Sequence, residues 1–346
     1  MDPFAVWEGT GVGAQLARAA LSPLAWLFEA GVAGRNALFD AGVLARRATA
    51  IPAISVGNLS VGGTGKTPVA ADVARRLRDA GAHPAIVLRG YGDDEPAVHA
   101  ILNPDVPVLT SPDRVAGCEA AHARGCDVAV LDDAFQHRQA ARAVDIVLVA
   151  AEQWRQPPRF LPAGPYREGA SALRRASLVI VTRKTASAAE AHDLAARLAA
   201  SASIPSASVA FHLDSLRRVG GGDDETMPLS SLGGQTVLAV TGIGAPRAFV
   251  AQLEGVGARV DLVSFPDHHR FSDADVARIG ARISARNSAR APRYACVVCT
   301  LKDGVKLGNH WPRAGVPLWY VSQRLTVESG EAAYVAAIRR VLDARP

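Results

Sequence analysis

The sequence predicts an α/β fold: a parallel sheet flanked by helices, a second, smaller α/β lobe after it, and an amphipathic helix before it. Three observations predict this fold. Short apolar segments alternate with helical patterns along most of the chain, a glycine-rich loop joins the first such segment to a helix, and the alternation restarts after a glycine-rich stretch. Alternating strands and helices are typical of a parallel sheet covered by helices.

Composition limits the classes of protein to consider. The chain has 346 residues, of which 49% are hydrophobic and 21% charged, so it can build a folded core and is long enough for two domains. Its net charge of +5 comes almost entirely from arginine, and no basic run is interleaved with aromatic residues. We therefore expect no nucleic-acid partner and no obligate protein partner. The basic charge suits an acidic ligand or an anionic membrane surface.

Residues 1–50 are predicted to form an N-terminal helical segment, for which membrane association is one of two alternatives. A helical pattern of apolar residues runs from Gln15 to Arg47. Its central uncharged stretch, Ala19–Phe28, is too short to cross a bilayer. The sequence leaves two alternatives open: the helix lies in the membrane interface, or it packs on its own domain.

The core domain is predicted at residues 51–213. Its strands are expected at Ile51–Val56, Ala85–Leu88, Asp127–Leu131, Val144–Ala150 and Leu178–Thr182, and its helices at Pro68–Ala80, Pro112–Arg124 and Ala188–Ala200. Glycine and serine content predicts a linker at 214–234. The C-terminal lobe is predicted at 235–346, with strands at Val237–Val240, Arg259–Phe265, Tyr294–Cys299 and Pro317–Val321 and helices at Pro246–Leu253, Asp273–Ala285 and Glu328–Leu342.

Two of the four cysteines, Cys296 and Cys299, form a C-x-x-C pattern that elsewhere marks redox or metal sites. Here the pattern lies in an apolar segment that reads as a buried strand. Residues three apart on a strand point to opposite faces, so we expect these thiols not to meet. The low cysteine content is typical of a reducing cytoplasm.

The strongest motif is the glycine-rich loop "SVGNLSVGGTGKTP" at Ser55–Pro68. It matches the P-loop pattern G-x-x-x-x-G-K-[ST] except at its first glycine, where Ser60 stands. Glycines let backbone N–H groups turn toward phosphate oxygens, the lysine adds a charge for the outer phosphates, and the threonine hydroxyl is placed for Mg²⁺. We predict binding of ATP and Mg²⁺. The predicted nucleotide-binding residues are Ser60, Val61, Gly62, Gly63, Thr64, Gly65, Lys66 and Thr67.

An apolar strand that ends in two carboxylates, "VAVLDDAFQH", occupies Val128–His137. In parallel α/β sheets ligands bind at the carboxyl ends of strands. Asp132 and Asp133 are therefore predicted, together with Thr67, to hold the metal ion beside the phosphate loop.

A kinase also needs a group that orients and deprotonates its acceptor hydroxyl. The segment "RGYGDDEP", Arg89–Pro96, follows the second strand and supplies Asp94 and Glu95. The segment "FPDHHRFS" in the second lobe supplies His268, which could orient a carboxylate. Spacing alone leaves the choice between Asp94 and Glu95 open.

Taken together, these motifs resemble the tetraacyldisaccharide 4′-kinases of lipid A biosynthesis. The resemblance covers nearly the whole chain. It rests on "LSPLAWLF" (Leu21–Phe28), "ISVGNLSVGGTGKTP" (Ile54–Pro68), "RGYG" (Arg89–Gly92), "DEP" (Asp94–Pro96), "DDAFQHR" (Asp132–Arg138), "LPAGPYRE" (Leu161–Glu168), "TGIGAPRAF" (Thr241–Phe249), "FPDHHRFS" (Phe265–Ser272) and "KDGVKL" (Lys302–Leu307).

The resemblance implies that the γ-phosphate of ATP passes to the 4′-hydroxyl of a tetraacylated glucosamine disaccharide 1-phosphate. That acceptor lies in the cytoplasmic leaflet of the inner membrane, so the resemblance implies a peripheral enzyme on this face and an N-terminal helix in the interface. Motif by motif, it implies Asp94 as general base with His268 as its partner, and Lys66 as a catalytic cation. The supporting site residues that it implies are Arg89, Tyr91, Glu95, Arg114, Gln136 and His137.

Two departures from the family pattern are visible. The R-G-Y-G and D-E-P motifs, usually separated by a long insert, are nearly fused here, which makes Asp93 a rival for the base. The family's T-E-K-D is "TLKD" at Thr300–Asp303, with Leu301 in place of glutamate.

Two other classes of protein remain as alternatives. A regulatory P-loop ATPase of the partitioning kind carries a lysine just before its paired glycines, and Val61 occupies that position here. A kinase of a soluble metabolite would use the N-terminal helix only as structure, and its activity would not depend on lipid or detergent.

Overall fold

The computed structural model describes residues 3–90, 94–222, 225–244, 246–267, 269–288, 292–312 and 315–345. The chain divides into two compact units. The first unit comprises Met1–Tyr91, His99–Ala210 and Leu325–Pro346, and the second comprises Gly92–Val98 and Phe211–Arg324.

The first unit contains a sheet with the strand order β7-β6-β5-β1-β4-β2-β3. Its strands are β1 Ala53–Asn58, β2 Pro84–Leu88, β3 Val108–Thr110, β4 Val128–Asp132, β5 Val144–Ala150, β6 Leu178–Arg183 and the beginning of β7 Ser206–Arg218. The neighbouring strands pair in parallel. Because β1 lies between β4 and β5, with Val56 opposite Asp132, the carboxyl ends of β1 and β4 are adjacent. That edge is where open α/β sheets bind ligands.

Helices accompany this sheet, as the sequence predicts. They are α1 Pro3–Glu8, α2 Val12–Asp40, α3 Lys66–Asp79, α4 Asp94–Leu102, α5 Arg114–His122, α6 Ala188–Ala202 and α10 Glu331–Leu342; the first residues of α4 belong to the second unit. Every residue of β1, β2 and β4 is buried. One apolar cluster contains Phe135, Val147 and Leu198, and another contains Val87 and Leu131. Strands with apolar residues throughout, rather than in alternation, are typical of a sheet covered on both faces.

The second unit contains the strand order β10-β9-β11-β12-β7, with β8 antiparallel to β7. The strands are β8 Thr226–Pro228, β9 Thr236–Thr241, β10 Arg259–Ser264, β11 Cys296–Thr300 and β12 Leu318–Ser329, and the helices are α7 Pro246–Gly255, α8 Asp273–Ser288 and α9 Leu301–Leu307. Strand β9 pairs in parallel with β10 and β11. The predicted second α/β lobe is thus present in the fold.

The two cysteines of the C-x-x-C pattern belong to different apolar clusters, Cys296 to one and Cys299 to the other. Both are free and buried, and burial raises the pKa of each thiol, that of Cys296 to about 11. The prediction that they do not meet is confirmed, and neither has the lowered pKa of a reactive cysteine.

The segment 214–234, predicted to be a linker, carries secondary structure. Strand β7 continues to Arg218, β8 pairs with it, and Leu229–Leu232 forms a 3₁₀ turn. Leu216 and Leu232 are buried in the same apolar cluster as Val237, so apolar side chains outweigh the glycine content here. As a domain boundary the segment stays a prediction.

Helix α2 ends at Asp40, seven residues before the predicted end at Arg47, and it exposes an apolar stripe. Val12, Leu16, Leu24 and Leu27, spaced by three, four or eight residues, are all more than half exposed, as is Trp26. Within the described ranges, no helix combines the length and apolar character that crossing a membrane requires. A stripe of this kind suits a helix that lies in an interface.

The turn between β12 and α10 requires glycine. Gly330 has φ +74°, and a Cβ there would overlap the carbonyl oxygen of Ser206 and lie 2.7 Å from Ala207 Cα. We expect Gly330→Ala to lower the free energy of unfolding by about 3 kcal/mol or more, since backbone strain and overlap add. Gly81→Ala is the matched control, because Gly81 has φ +83° and open space around it; about 1 kcal/mol is expected there. Urea unfolding followed by circular dichroism would measure both, and equal losses would contradict the overlap.

Candidate active site

The phosphate loop leaves β1 and leads directly into α3. Gly65 caps α3 with φ 86°, and Gly62 has φ 126°. Side chains rarely tolerate such backbone angles, so glycine is required at both positions. The first turn of a helix has N–H groups without intrahelical acceptors and carries the positive end of the helix dipole. The turn that begins at Lys66 therefore has the features of an anion site.

Neighbouring groups hold this loop in shape. Asn58 Nδ2 donates to Thr64 Oγ1 over 2.8 Å, and Thr182 Oγ1 donates to the carbonyl of Thr64 over 2.9 Å. The N–H of Val61 donates to the carbonyl of Pro165, and Lys184 Nζ donates to that of Gly63 over 3.1 Å. The loop is thus pre-organised by contacts with the sheet and with the segment after Pro165.

Asp133 holds the lysine of the loop. Its Oδ1 lies 3.7 Å from Lys66 Nζ, and Arg167 Nη1 donates to both carboxylate oxygens over 2.9 and 3.1 Å. Burial raises the pKa of Asp133, but Lys66 and Arg167 together outweigh burial, so the pKa lies below its ordinary value. Asp133 is consequently a stable anion between two cations.

Asp132 is held differently, at the end of β4. It is 3% exposed, and its Oδ2 accepts a hydrogen bond from His99 Nε2 over 3.0 Å. Its backbone carbonyl accepts from Arg114 Nη2 over 3.0 Å. Among the described residues, its Oδ1 is buried and has no hydrogen-bond partner. Asp132, unlike Asp133, therefore has one oxygen available for another ligand.

This donor set fits Mg²⁺. The ion prefers oxygen ligands and is commonly bound by one or two carboxylates together with substrate phosphates. A buried carboxylate oxygen without a partner is costly, and a cation would satisfy it. Thr67, buried in the first turn of α3, supplies a hydroxyl oxygen. The described residues contain no group of three or more His, Cys, Asp or Glu side chains placed to hold a metal ion.

Three predicted supporting residues surround these carboxylates. The Arg114 guanidinium is buried, and its Nη1 also donates to the carbonyl of Ser111. Gln136 Nε2 donates to the carbonyl of Asn58 at the end of β1. Burial, followed by the charge of Arg114, lowers the pKa of His137 and so favours its neutral form. These residues brace the edge of the sheet where β1 and β4 end.

Arg89, a further predicted residue of the first unit, lies just after β2 and is exposed. Its guanidinium lowers the pKa of His137, and that of Arg114 as well, although burial is the larger cause for both groups.

The second unit contains the candidate base. Asp94 opens α4, is 6% exposed, and has its Oδ2 3.9 Å from Lys306 Nζ. Lys306 Nζ also lies 3.6 Å from Oδ1 of the buried Asp303. Next to Asp94, Glu95 accepts from Lys302 Nζ over 3.3 Å. The two acidic residues of the D-E-P motif are thus each beside a lysine.

Asp303 fixes the position of Lys306. One oxygen of Asp303 accepts from the N–H of Gly242 over 3.0 Å, and the other accepts from Thr241 Oγ1 and Thr300 Oγ1 over 3.1 and 2.7 Å. Thr300 caps α9, whose first residue is Leu301, where the family motif has glutamate. The network is complete with leucine at that position.

Three residues of interest, Tyr91, Asp93 and His268, lie outside the described residues. The following histidine, His269, pairs its Nε2 with Asp275 Oδ2 at 3.0 Å and stacks on Phe265. Within the first unit the structure brings together the phosphate loop, Asp132, Asp133, Arg114 and Gln136. Within the second unit it brings together Asp94, Glu95 and the two lysines of α9. Sequence reasoning missed the roles of His99, Arg167 and Lys306.

A groove lies in the first unit, between α2 and the segment 156–175, with a volume of about 1160 Å³. Trp26 and Phe160 line it together with four arginines, which are Arg18, Arg159, Arg174 and Arg175. Glu168, also in its wall, accepts from Arg175 and Asn36. Glu168 directly follows Arg167, the partner of Asp133, and the N–H groups of both residues donate to the carbonyl of Leu59 in the phosphate-loop segment. Glu29 and Asp40 line it as well, so the groove combines apolar side chains with four cations and three carboxylates.

The chain is similar to proteins of known family over most of its length. A family model described as tetraacyldisaccharide-1-P 4′-kinase matches residues 17–100 and 92–343. The two matched ranges overlap at residues 92–100, which include the D-E-P motif. A tetraacyldisaccharide 4′-kinase from Anaeromyxobacter sp. strain K is 37% identical over 329 residues, which cover 88% of this chain and 85% of that protein. One from Halorhodospira halophila is 35% identical and covers 94% of each chain.

A solved structure agrees as well. The crystal structure of LpxK from Aquifex aeolicus in complex with ATP superposes with a TM-score of 0.72 at 27% identity, covering 94% of this chain and 99% of that one. The structural match extends over both units of the chain, as the family match does. The chain therefore belongs to the tetraacyldisaccharide-1-P 4′-kinase family.

Proposed function

We propose that this chain transfers the γ-phosphate of ATP to the 4′-hydroxyl of a tetraacyldisaccharide 1-phosphate, a step of lipid A biosynthesis. Family membership supports the reaction, and the ATP-bound neighbour supports the phosphate donor. The observation that carries the proposal is the arrangement of Lys66, Asp133 and Asp132 at the adjacent ends of β1 and β4. A cation, and a carboxylate oxygen without a hydrogen-bond partner among the described residues, thus lie beside a loop of the phosphate-binding type.

In the proposed reaction the phosphate loop binds and orients the triphosphate. Lys66, positioned by Asp133, stabilises the charge that develops on the outer phosphates. Thr67 and Asp132 would hold a metal ion, which would neutralise charge on the phosphate oxygens. Since phosphoryl transfer demands mainly positioning and charge stabilisation, this rigid arrangement supplies most of what the donor side needs.

On the acceptor side, we propose that Asp94 accepts the proton of the attacking hydroxyl, with His268 as its partner. The ammonium of Lys306, 3.9 Å from Oδ2 of Asp94, places a positive charge beside the carboxylate that would take the proton. Because Asp303 anchors Lys306, the charge beside Asp94 is fixed rather than mobile.

We propose that the disaccharide lipid occupies the groove beside α2 and that the exposed stripe of α2 lies in the cytoplasmic face of the inner membrane. The arginines of the groove provide charge for a sugar phosphate, and its apolar residues provide contact for acyl chains. The exposed Trp26, Leu24 and Leu27 are typical of interfacial helices. Enzyme and lipid would then meet without the lipid leaving the bilayer.

The decisive test is transfer of labelled phosphate from ATP to a tetraacyl disaccharide 1-phosphate in mixed micelles. The matched control acceptor is the same lipid already phosphorylated at the 4′-hydroxyl. Labelled phosphate on the acceptor lipid, and none on the control lipid, would support both the reaction and the 4′-hydroxyl as its position. ATP consumption without labelled lipid would overturn the acceptor and favour a regulatory ATPase.

The stripe of α2 gives a second prediction. We expect the double change Leu24→Ser and Leu27→Ser to raise the KM for micellar lipid at least about tenfold, because two exposed apolar contacts, each worth about 1 kcal/mol or more, are lost from the interface. The KM for ATP should not change, since the phosphate loop is not involved. Steady-state kinetics with lipid varied and then with ATP varied would measure the two KM values separately. If wild type and variant had the same KM for lipid, the exposed stripe would not contribute to contact with the lipid surface.

A further inference from the structure

We propose that His99 is a positioning residue that orients the metal-binding carboxylate of Asp132. This inference rests on the proposed function, because that function assigns the metal ion to Asp132. Neither the D-E-P motif nor the phosphate loop includes His99, which lies near the end of α4.

The contact between the two side chains is direct and buried. His99 is 0% exposed and Asp132 is 3% exposed, with Nε2 and Oδ2 3.0 Å apart. A carboxylate can only accept hydrogen bonds, so Nε2 carries the hydrogen of this bond. The bond therefore fixes one oxygen of Asp132 and leaves the other, Oδ1, without a partner among the described residues.

The rest of Asp132 is also immobilised. Its Cα pairs with Val56 across the sheet, and its carbonyl accepts from Arg114. With the backbone fixed, only the side-chain torsion angles of Asp132 can still vary. The hydrogen bond from the imidazole of His99 restricts these angles. Carboxylates that bind metals are commonly oriented in this way by a second hydrogen-bonded group.

A purely structural role does not explain why a histidine occupies this position. His99 Nδ1 is buried and makes no hydrogen bond within the described part of the chain. A buried polar atom without a partner costs about 1–3 kcal/mol, so an apolar residue would fill the space with less penalty. The bond to Asp132 is the feature that an apolar residue could not supply.

The test compares three proteins: wild type, His99→Leu and His99→Gln. Glutamine places an N–H donor near the position of the imidazole Nε2, whereas leucine fills the space without a donor. Mn²⁺ would serve as the probe, titrated in the presence of a non-hydrolysable ATP analogue and followed by electron paramagnetic resonance. Asp132→Asn marks the level of binding without the carboxylate, and circular dichroism melting checks that each variant is folded.

We expect His99→Leu to raise the Kd for Mn²⁺ about 10-fold or more, as removal of second-layer partners typically does, and His99→Gln to stay within about threefold of wild type. The Mg²⁺ concentration for half-maximal lipid phosphorylation should shift in parallel. Equal affinity in His99→Leu and wild type would overturn the proposal, as would equal weakening in both folded variants. If wild type binds Mn²⁺ but no lipid is phosphorylated, only the acceptor assignment fails.

Discussion

Replacing Lys66 by alanine is expected to lower the rate of phosphate transfer about 10³-fold or more while the chain stays folded. Lys66 is the cation that the phosphate loop directs at the outer phosphates, and the transition state concentrates charge there. Losses of this size follow removal of a single pre-organised electrostatic contact and correspond to about 4 kcal/mol of transition-state stabilisation. Folding should survive because Asp133 keeps its hydrogen bonds from Arg167.

Lys184→Ala is the matched control for this change. Its ammonium donates to the carbonyl of Gly63, so it supports the shape of the same loop without being the lysine of the motif. A loss of about tenfold or less is expected there, the size of one ordinary hydrogen bond. Single-turnover transfer from labelled ATP would measure both variants, with melting curves as the check on folding. Comparable losses in the two variants would mean that Lys66 acts through loop structure and not through charge.

The architecture was predictable because its signals are local. Strand Val144–Ala150 has the bounds that its apolar run predicts, and α6 begins at the predicted Ala188. Helix α3 also follows the phosphate loop as expected, with Gly65 as its cap. Each of these elements combines a periodic apolar pattern with clear end signals, and such elements are the ones that sequence patterns define best.

Elements decided by long-range contacts were not predictable. The D-E-P segment reads as an acidic loop, yet Asp94 opens α4, and Val98 and His99 of that helix are buried. The end of β7 contains few apolar residues, but Leu216 is buried in a cluster formed with distant strands. In both cases tertiary packing supplies the stabilisation, and neither local composition nor periodicity contains that information.

The positions of the lysines are one feature of the sequence that could have indicated residues of the candidate site. The chain has only four lysines, and the rest of its basic residues are arginines. In the structure Lys66 contacts Asp133, Lys184 contacts the phosphate loop, and Lys302 and Lys306 lie beside the two acidic residues of the D-E-P motif. Where arginine is the default cation, a lysine marks a position that needs a compact point charge. His99 and Arg167 offered no comparable signal, because their partners are distant in sequence.

Replacing Asp94 by asparagine is the second change with a large expected effect. Asparagine keeps the size of the side chain but cannot accept a proton at neutral pH, so we expect kcat to fall about 10²- to 10⁴-fold. The Kd for ATP should stay within about twofold, because the described phosphate-loop contacts do not involve Asp94. Lys306 retains Asp303 as its partner, so the variant does not leave an isolated buried cation. Rapid-quench kinetics and nucleotide titration would provide the two measurements.

Two controls decide whether the loss belongs to this carboxylate. Glu95→Gln removes the neighbouring carboxylate, which accepts from Lys302, and should cost far less, since Glu95 is more exposed than Asp94. Asp93→Asn tests the rival that the nearly fused motifs create. If Asp93→Asn is the crippling change and Asp94→Asn keeps most of the rate, the base lies one residue earlier. In that case the contact between Lys306 and Asp94 would help to position α4, and it would have no direct part in the proton transfer.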